Sequence, residues 1–264
     1  MLEPRLRLAV NTMAVSIQCI LADAQPSIYL YGSVTTEDYR HGWSDIDLLV
    51  LTMDPITQEQ ADALLHLRQT LAGRDPDTPH YRLFEGGMLD LGAFLSGEDT
   101  RVVYWGTTGE RIKSTHAFSV FDRASLLQNG QLLLGKDVRR HIEMPEFPDI
   151  LTGIGDHLAS VREHGIGSRS IYAYGWLLDV ARCLHALIEG KLTTKTAAAQ
   201  WALDQHLCPC PAELSMALTV RRQPELIRDE GVLAYAEGLT EAIQSFAALL
   251  EKALGMQEYQ GGTP

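Results

Sequence analysis

YGSVTTEDYRHGWSDIDLLVLT, residues 31–52, joins a glycine–serine pair to two aspartates at the head of an apolar run. Gly32 and Ser33 follow the short segment SIYLY, 27–31, which reads as a strand. DIDLLVLT, 45–52, reads as a second strand, nearly continuous in apolar residues after Asp47 and therefore central in a sheet. Asp45 and Asp47 are two apart, so on a strand they share one face. Neighbouring carboxylates repel each other unless a cation bridges them, and a carboxylate in an apolar strand is costly without one. Hard divalent ions fit that need, because magnesium takes one or two carboxylates together with substrate phosphates. A glycine after a buried strand lets the backbone approach a ligand, and the adjacent N–H groups with the Ser33 hydroxyl can hold a phosphate oxygen. Either half alone also reads as an ordinary turn or a polar strand start.

A strand, Gly-Ser, eleven residues and then Asp-x-Asp opening a second strand is more specific than its parts. Taken whole, it resembles the minimal signature of the nucleotidyltransferase superfamily, the DNA polymerase β-like fold. The resemblance implies that Gly32 and Ser33 grip a nucleotide's phosphates and that Asp45 and Asp47 hold magnesium. The loop is one residue longer than in most members, and Glu37 and Asp38 stand where a glycine is usual. The superfamily draws a third carboxylate from a following strand, either to bind metal or to take the proton from the attacking hydroxyl. Asp90, a lone acid in GMLDLGAFL, is the expected residue for both roles; Glu85, beside Gly86 and Gly87, is its competitor.

Outward from this stretch, residues 4–24 carry Leu6, Val10, Met13 and Ile17 at helical spacing. Asp54-Pro55 reads as the start of a helix running to about Leu71. HYRLF and GMLDLGAFL are expected to flank a hairpin turn at Glu85–Gly87, with RVVYW as an edge strand. From about Pro148 the β signal gives way to helical periodicity, with helices expected near 148–164, 168–189, 194–207, 211–222 and 229–254. The expected class is α+β. A nucleotidyltransferase-like mixed sheet with flanking helices spans 1–146, an all-helical domain spans 147–256, and 257–264 form a frayed tail.

In the helical half, Lys195 opens the helix 194–207, where a cation opposes the helix dipole unless an anion is received there; a solvated loop lysine is the plain alternative. Arg182, Gly190, Lys191, Lys195 and Trp201 follow one another as in the C-terminal domain of aminoglycoside adenylyltransferases of the streptomycin/spectinomycin type, which this half resembles. That resemblance implies that Lys195 contacts the β- and γ-phosphates. Tyr172 and Gly175 stand where that family has acidic or amide groups that touch the drug.

The net charge of −12, from 34 acidic and 22 basic residues, repels phosphodiester backbones and anionic lipid, so neither nucleic acid nor membrane is an expected partner. No apolar run is long enough to span a bilayer, and no secretory signal pattern is visible, so the expected location is cytoplasmic. Four cysteines are too few and scattered for a disulfide framework, and HLCPC, 206–210, lacks the spacing of a zinc site and reads as a helix end. The resemblance implies an antibiotic-resistance type of transferase that uses two Mg²⁺ ions and ATP to move AMP onto a hydroxyl of a small acceptor, such as a cationic aminoglycoside. Two other classes fit the same residues: a toxin–antitoxin-like enzyme modifying protein or RNA, and a nucleotide-binding module without catalysis.

Overall fold

A computed structural model describes residues 2–261, with side chains to residue 256. The chain divides into two units. One comprises the chain up to Tyr39 together with Ser44–Met144, and the other Arg40–Trp43 together with the chain from Pro145 onward.

The first unit opens with helix α1 (Pro4–Ile20), started by Pro4 and capped by Glu3, whose carboxylate accepts from the Arg5 and Leu6 N–H groups. Then follow β1 (Ser27–Tyr31), β2 (Ile46–Thr52), α2 (Gln58–Arg74), β3 (Phe84–Asp90), α3 (Leu91–Ser96), β4 (Val102–Gly106), β5 (Gly109–Lys113), α4 (Val120–Asn129) and β6 (Gln131–Leu134). The six strands form one sheet in the order β5-β4-β3-β2-β1-β6. Strands β2 and β3 run parallel, joined by α2, and the other neighbours are antiparallel.

Strand periodicity sends alternate side chains to two cores. Ile46, Leu48, Val50, Phe84, Met88, Val103 and Trp105 pack beneath α1 and α2. Tyr29, Tyr31, Leu49, Leu51, Leu89 and Val102 face the other way, toward Leu126 of α4. Arg68 of α2 is buried in the first layer and pins three strands' worth of chain. It pairs with Glu110 at 2.7 Å and donates to the carbonyls of Phe84 (2.6 Å) and Gly106 (3.3 Å).

Three expectations for this half are corrected. Helix α2 starts at Gln58, not at Pro55, because Thr57 and Gln60 form a reciprocal capping box that stops it three residues later. Glu85–Gly87 is not a hairpin turn: these residues lie inside β3, hydrogen-bonded on one side to β2 and, for both glycines, on the other to β4. RVVYW supplies an internal strand, since GERIK adds β5 outside it; that charged edge strand has no apolar alternation to betray it.

The second unit contains α5 (Phe147–His164), α6 (Ile171–Glu189), α7 (Lys195–Asp204), α8 (Pro211–Arg222), α9 (Glu230–Glu237) and α10 (Thr240–Gly261). Helix α6 is its axis, burying Leu177, Leu178, Ala181, Leu184 and Leu187 among its neighbours. Within this unit the guanidinium of Arg221 lies 5.6 Å from the ring centre of Trp43. The helix expected over 229–254 is two, broken at Gly238 and Leu239. Of the tail expected to fray, 257–261 continue α10, and 262–264 lie outside the described residues. Among the described residues no helix is long and apolar enough to cross a membrane.

Candidate active site

Strand β1 ends at Tyr31, and Gly32–Thr35 make a single 3-10 turn. Gly32 has φ +73, the left-handed region that glycine enters without penalty. It has a second reason to be glycine. A Cβ there would stand 1.9 Å from Asp47 Oδ2, so the aspartate side chain occupies the space that any other residue would fill. Register explains the meeting, since Tyr31 pairs directly with Asp47 across the antiparallel β1–β2 ladder. The Gly32 N–H donates to Ser125 Oγ of α4 at 3.1 Å, which fixes the turn against that helix. Ser33 is half-buried in the same turn, its carbonyl accepting from the Thr36 N–H.

The parallel pairing of β2 with β3 decides which acid joins Asp47. Asp47 is in register with Glu85, on the same face of the sheet, while Asp90 is in register with Thr52. Five residues of strand, roughly 16 Å, separate the two levels. Asp90 also points by alternation toward the opposite layer and is committed elsewhere: it accepts from the Ala93 N–H at 2.8 Å as the cap of α3 and from Thr100 Oγ1 at 2.6 Å. The expectation that Asp90 is the metal-binding third carboxylate and base is therefore corrected. Glu85, not Asp90, is the acid that stands beside Asp47.

Glu85 is held from one side. Tyr104 Oη donates to Glu85 Oε1 at 2.9 Å, and the Tyr104 ring is flanked by the Arg111 guanidinium (4.8 Å) and the Lys113 ammonium (4.4 Å). Burial first, then the hydrogen bond to Glu85, pushes the Tyr104 hydroxyl up to about 12, so it stays a donor at neutral pH. Tyr31 is buried beside the same acids, and its hydroxyl is raised well above the usual range by burial and then by Asp122, Asp47 and Glu85. The ring of His116 sits over Gly87 on this face, 5.8 Å from Phe118, kept neutral by burial, which lowers its pKa to about 4.

Asp45 immediately precedes β2 instead of lying on it, and its charge, after burial, raises the Tyr39 hydroxyl to about 12. Among the described residues no three His, Cys, Asp or Glu side chains converge as a ready metal set. Asp47 and Glu85 do come together on neighbouring strands. Two carboxylates are what magnesium ordinarily takes from a protein when phosphate oxygens complete its shell, so the donor set fits a nucleotide-dependent magnesium site.

The helical unit carries its own polar group. Lys195 stands at the first position of α7, and its ammonium lies 2.9 Å from Asp179 of α6. Arg182, one turn along α6, reaches the same carboxylate at 3.1 Å. Burial alone would raise Asp179, but Lys195 and then Arg182 outweigh it and hold its pKa at about 2. His157 of α5 lies close enough to feel that charge, its own pKa lowered chiefly by burial. Asp179 and His157 were not anticipated from sequence; the only signal was an acid three residues before Arg182 on an otherwise apolar helix. Tyr172, where a drug-contacting group was expected, is exposed on α6.

Residues 22–82, which hold the Gly-Ser turn and both aspartates, match the family model of the nucleotidyltransferase domain. Over these residues the chain is similar to that domain. No curated protein matches the chain in sequence. Among solved structures, spectinomycin adenyltransferase AAD(9) from Enterococcus faecialis, determined with ATP and spectinomycin, superposes with a TM-score of 0.65 at 14% identity. The superposition covers 93% of this chain and 99% of that one, so the fold is shared along nearly the whole length. The nucleotidyltransferase match ends at Arg82, just before the strand that supplies Glu85.

Proposed function

We propose that the chain is a magnesium-dependent adenylyltransferase that moves AMP from ATP onto a hydroxyl of a small acceptor and releases pyrophosphate. The observation that carries this is the pairing of Asp47 with Glu85 in one register, directly beside the Gly32–Ser33 turn. Asp47 and Glu85, with Asp45 next to them, would hold magnesium, which when bound supplies positive charge to the phosphates and the attacking oxygen. Ser33 and the backbone of its turn bind phosphate oxygens. Glu85 takes the proton of the acceptor hydroxyl as general base, and Tyr104 keeps its carboxylate oriented. Lys195, with its ammonium steadied by Asp179, adds charge for the triphosphate.

For the acceptor, the structural neighbour solved with spectinomycin and the net charge of −12 both favour a cationic, hydroxyl-rich antibiotic of the aminocyclitol or aminoglycoside kind. Attraction of that sort is screened over about 8 Å at physiological ionic strength, so the KM for such an acceptor rises with salt. An ATP-dependent reaction on this scale belongs in the cytoplasm.

The test is incubation of the protein with α-labelled ATP, magnesium and a panel of spectinomycin, streptomycin and neutral polyols, with products identified by mass. An adenylylated aminocyclitol or aminoglycoside, absent without magnesium, supports the proposal. Label found only on protein or RNA would move the function to the toxin-like class, and nucleotide binding without any product would leave a binding module.

A further inference from the structure

The segment HLCPC, 206–210, takes no part in nucleotide chemistry, yet it brings two thiols together. Helix α7 ends in a turn with His206 in the left-handed region (φ +55). There the Leu207 N–H bonds back to the Ala202 carbonyl and the His206 N–H to the Leu203 carbonyl. The chain then reverses into α8 with Cys210 as its cap residue. Pro209 fixes one backbone angle between the cysteines and biases Cys208 to an extended conformation. The result is a Cys208 Sγ to Cys210 Sγ separation of 3.6 Å between free thiols.

The two sulfurs are not equivalent. Cys208 is half-buried and within reach of a small molecule, whereas Cys210 is 8% exposed, with its sulfur 3.5 Å from the Ala242 carbonyl oxygen of α10. Two thiols without a third ligand make a poor zinc site, and among the described residues no larger metal set includes them. We propose that Cys208 and Cys210 form a redox dithiol, a modification site that closes reversibly to an intrachain disulfide by exchange with a small disulfide such as oxidised glutathione.

Cys208 is the attacking sulfur. The Cys210 thiol and then its backbone N–H stabilise the Cys208 thiolate against the opposing effect of burial, so its pKa is lowered, while Cys210 is raised by the same neighbour and by burial. Cys208 gives its proton to solvent and attacks one sulfur of oxidised glutathione. A bond forms between that sulfur and Cys208, and the other glutathione leaves as a thiolate that takes up a proton. Cys210, deprotonated in turn, attacks the Cys208 sulfur, closing the Cys208–Cys210 bond and expelling the second glutathione. The protein loses two electrons and two protons, and the small disulfide gains both as two thiols.

Intact-mass measurement of the full chain after exposure to oxidised glutathione tests this, on a Cys19→Ser background because Cys19 is an exposed thiol on α1. The expected product has lost about 2 Da, carries no glutathione, maps to a Cys208–Cys210 peptide and returns to the dithiol with reductant. In that background Cys210→Ser retains one glutathione on position 208, while Cys208→Ser leaves Cys210 at least about tenfold slower to react than Cys208 in the other variant. Two unreacted thiols, a persistent glutathione adduct on the Cys19→Ser protein, or a disulfide to Cys183 each overturns the assignment. The parent readout stands even if a single variant folds poorly.

Discussion

Replacing Gly32 with alanine probes the contact between the turn and Asp47. The added Cβ would lie 1.9 Å from Asp47 Oδ2 and 2.7 Å from its carboxyl carbon. Ordinary packing needs at least 3.4 Å, so the carboxylate must retreat by about 1.5 Å, a displacement of the size that costs roughly 10²-fold at a reacting centre. The positive φ at residue 32 adds about 1–2 kcal/mol of strain for a non-glycine residue. Nucleotide binding can be read through stability. At ATP–magnesium concentrations 100 times Kd the wild-type protein gains about 2.7 kcal/mol, whereas a hundredfold weaker variant gains only about 0.4 kcal/mol. Urea unfolding with and without ATP–magnesium therefore separates the two effects: Gly32→Ala is less stable without ligand and nearly insensitive to adding it. A variant destabilised as expected but with the full magnesium-dependent gain would refute the placement of Asp47 at the nucleotide.

Other outcomes follow from the same geometry. Glu85→Gln lowers kcat by about 10² to 10⁴ at saturating ATP and magnesium, while Asp90→Ala costs about 1 kcal/mol of stability through its lost cap and leaves turnover nearly intact; the reverse pattern would return the base to the end of β3. Lys195→Ala weakens triphosphate binding more than monophosphate binding in calorimetry, and equal weakening of both would confine the lysine to its ion pair with Asp179. The Asp179 carboxyl, at about 2 in the folded chain against an ordinary 3.8, contributes stability that is present above pH 4 and lost as pH falls toward 2. That contribution is about 2 kcal/mol, and its segment of the acid-unfolding curve should vanish in Asp179→Asn.

The Gly-Ser turn and the aspartates were readable because they lie within one loop and its two flanking strands, where spacing alone carries the geometry. The acid that stands beside Asp47 on the next strand was not. Its identity rests on how β3 pairs with β2, a contact between segments about 38 residues apart in register, and two glycines after Glu85 look like a turn when no partner strand is visible. β5 was hidden for a related reason: an exposed edge strand such as GERIK needs no apolar face. The helical half was readable in outline because amphipathic periodicity is local, but Asp179 became meaningful only when α7 brought Lys195 to it.

The parallel placement of β2 beside β3 has a consequence for how this fold tolerates insertions and deletions. Both strands start at the same rim of the sheet, and the chain returns to that rim through α2, which is anchored by Arg68 to the Phe84 carbonyl, one residue before Glu85. Length changes upstream of that anchor, in the connections around α2, are absorbed by surface loop. A single residue gained or lost between Phe84 and Glu85 instead turns the carboxylate to the opposite layer, among Phe84 and Met88. Natural or engineered variants of this chain should therefore vary freely in the spacing from Asp47 to Phe84, and almost never in the step from Phe84 to Glu85.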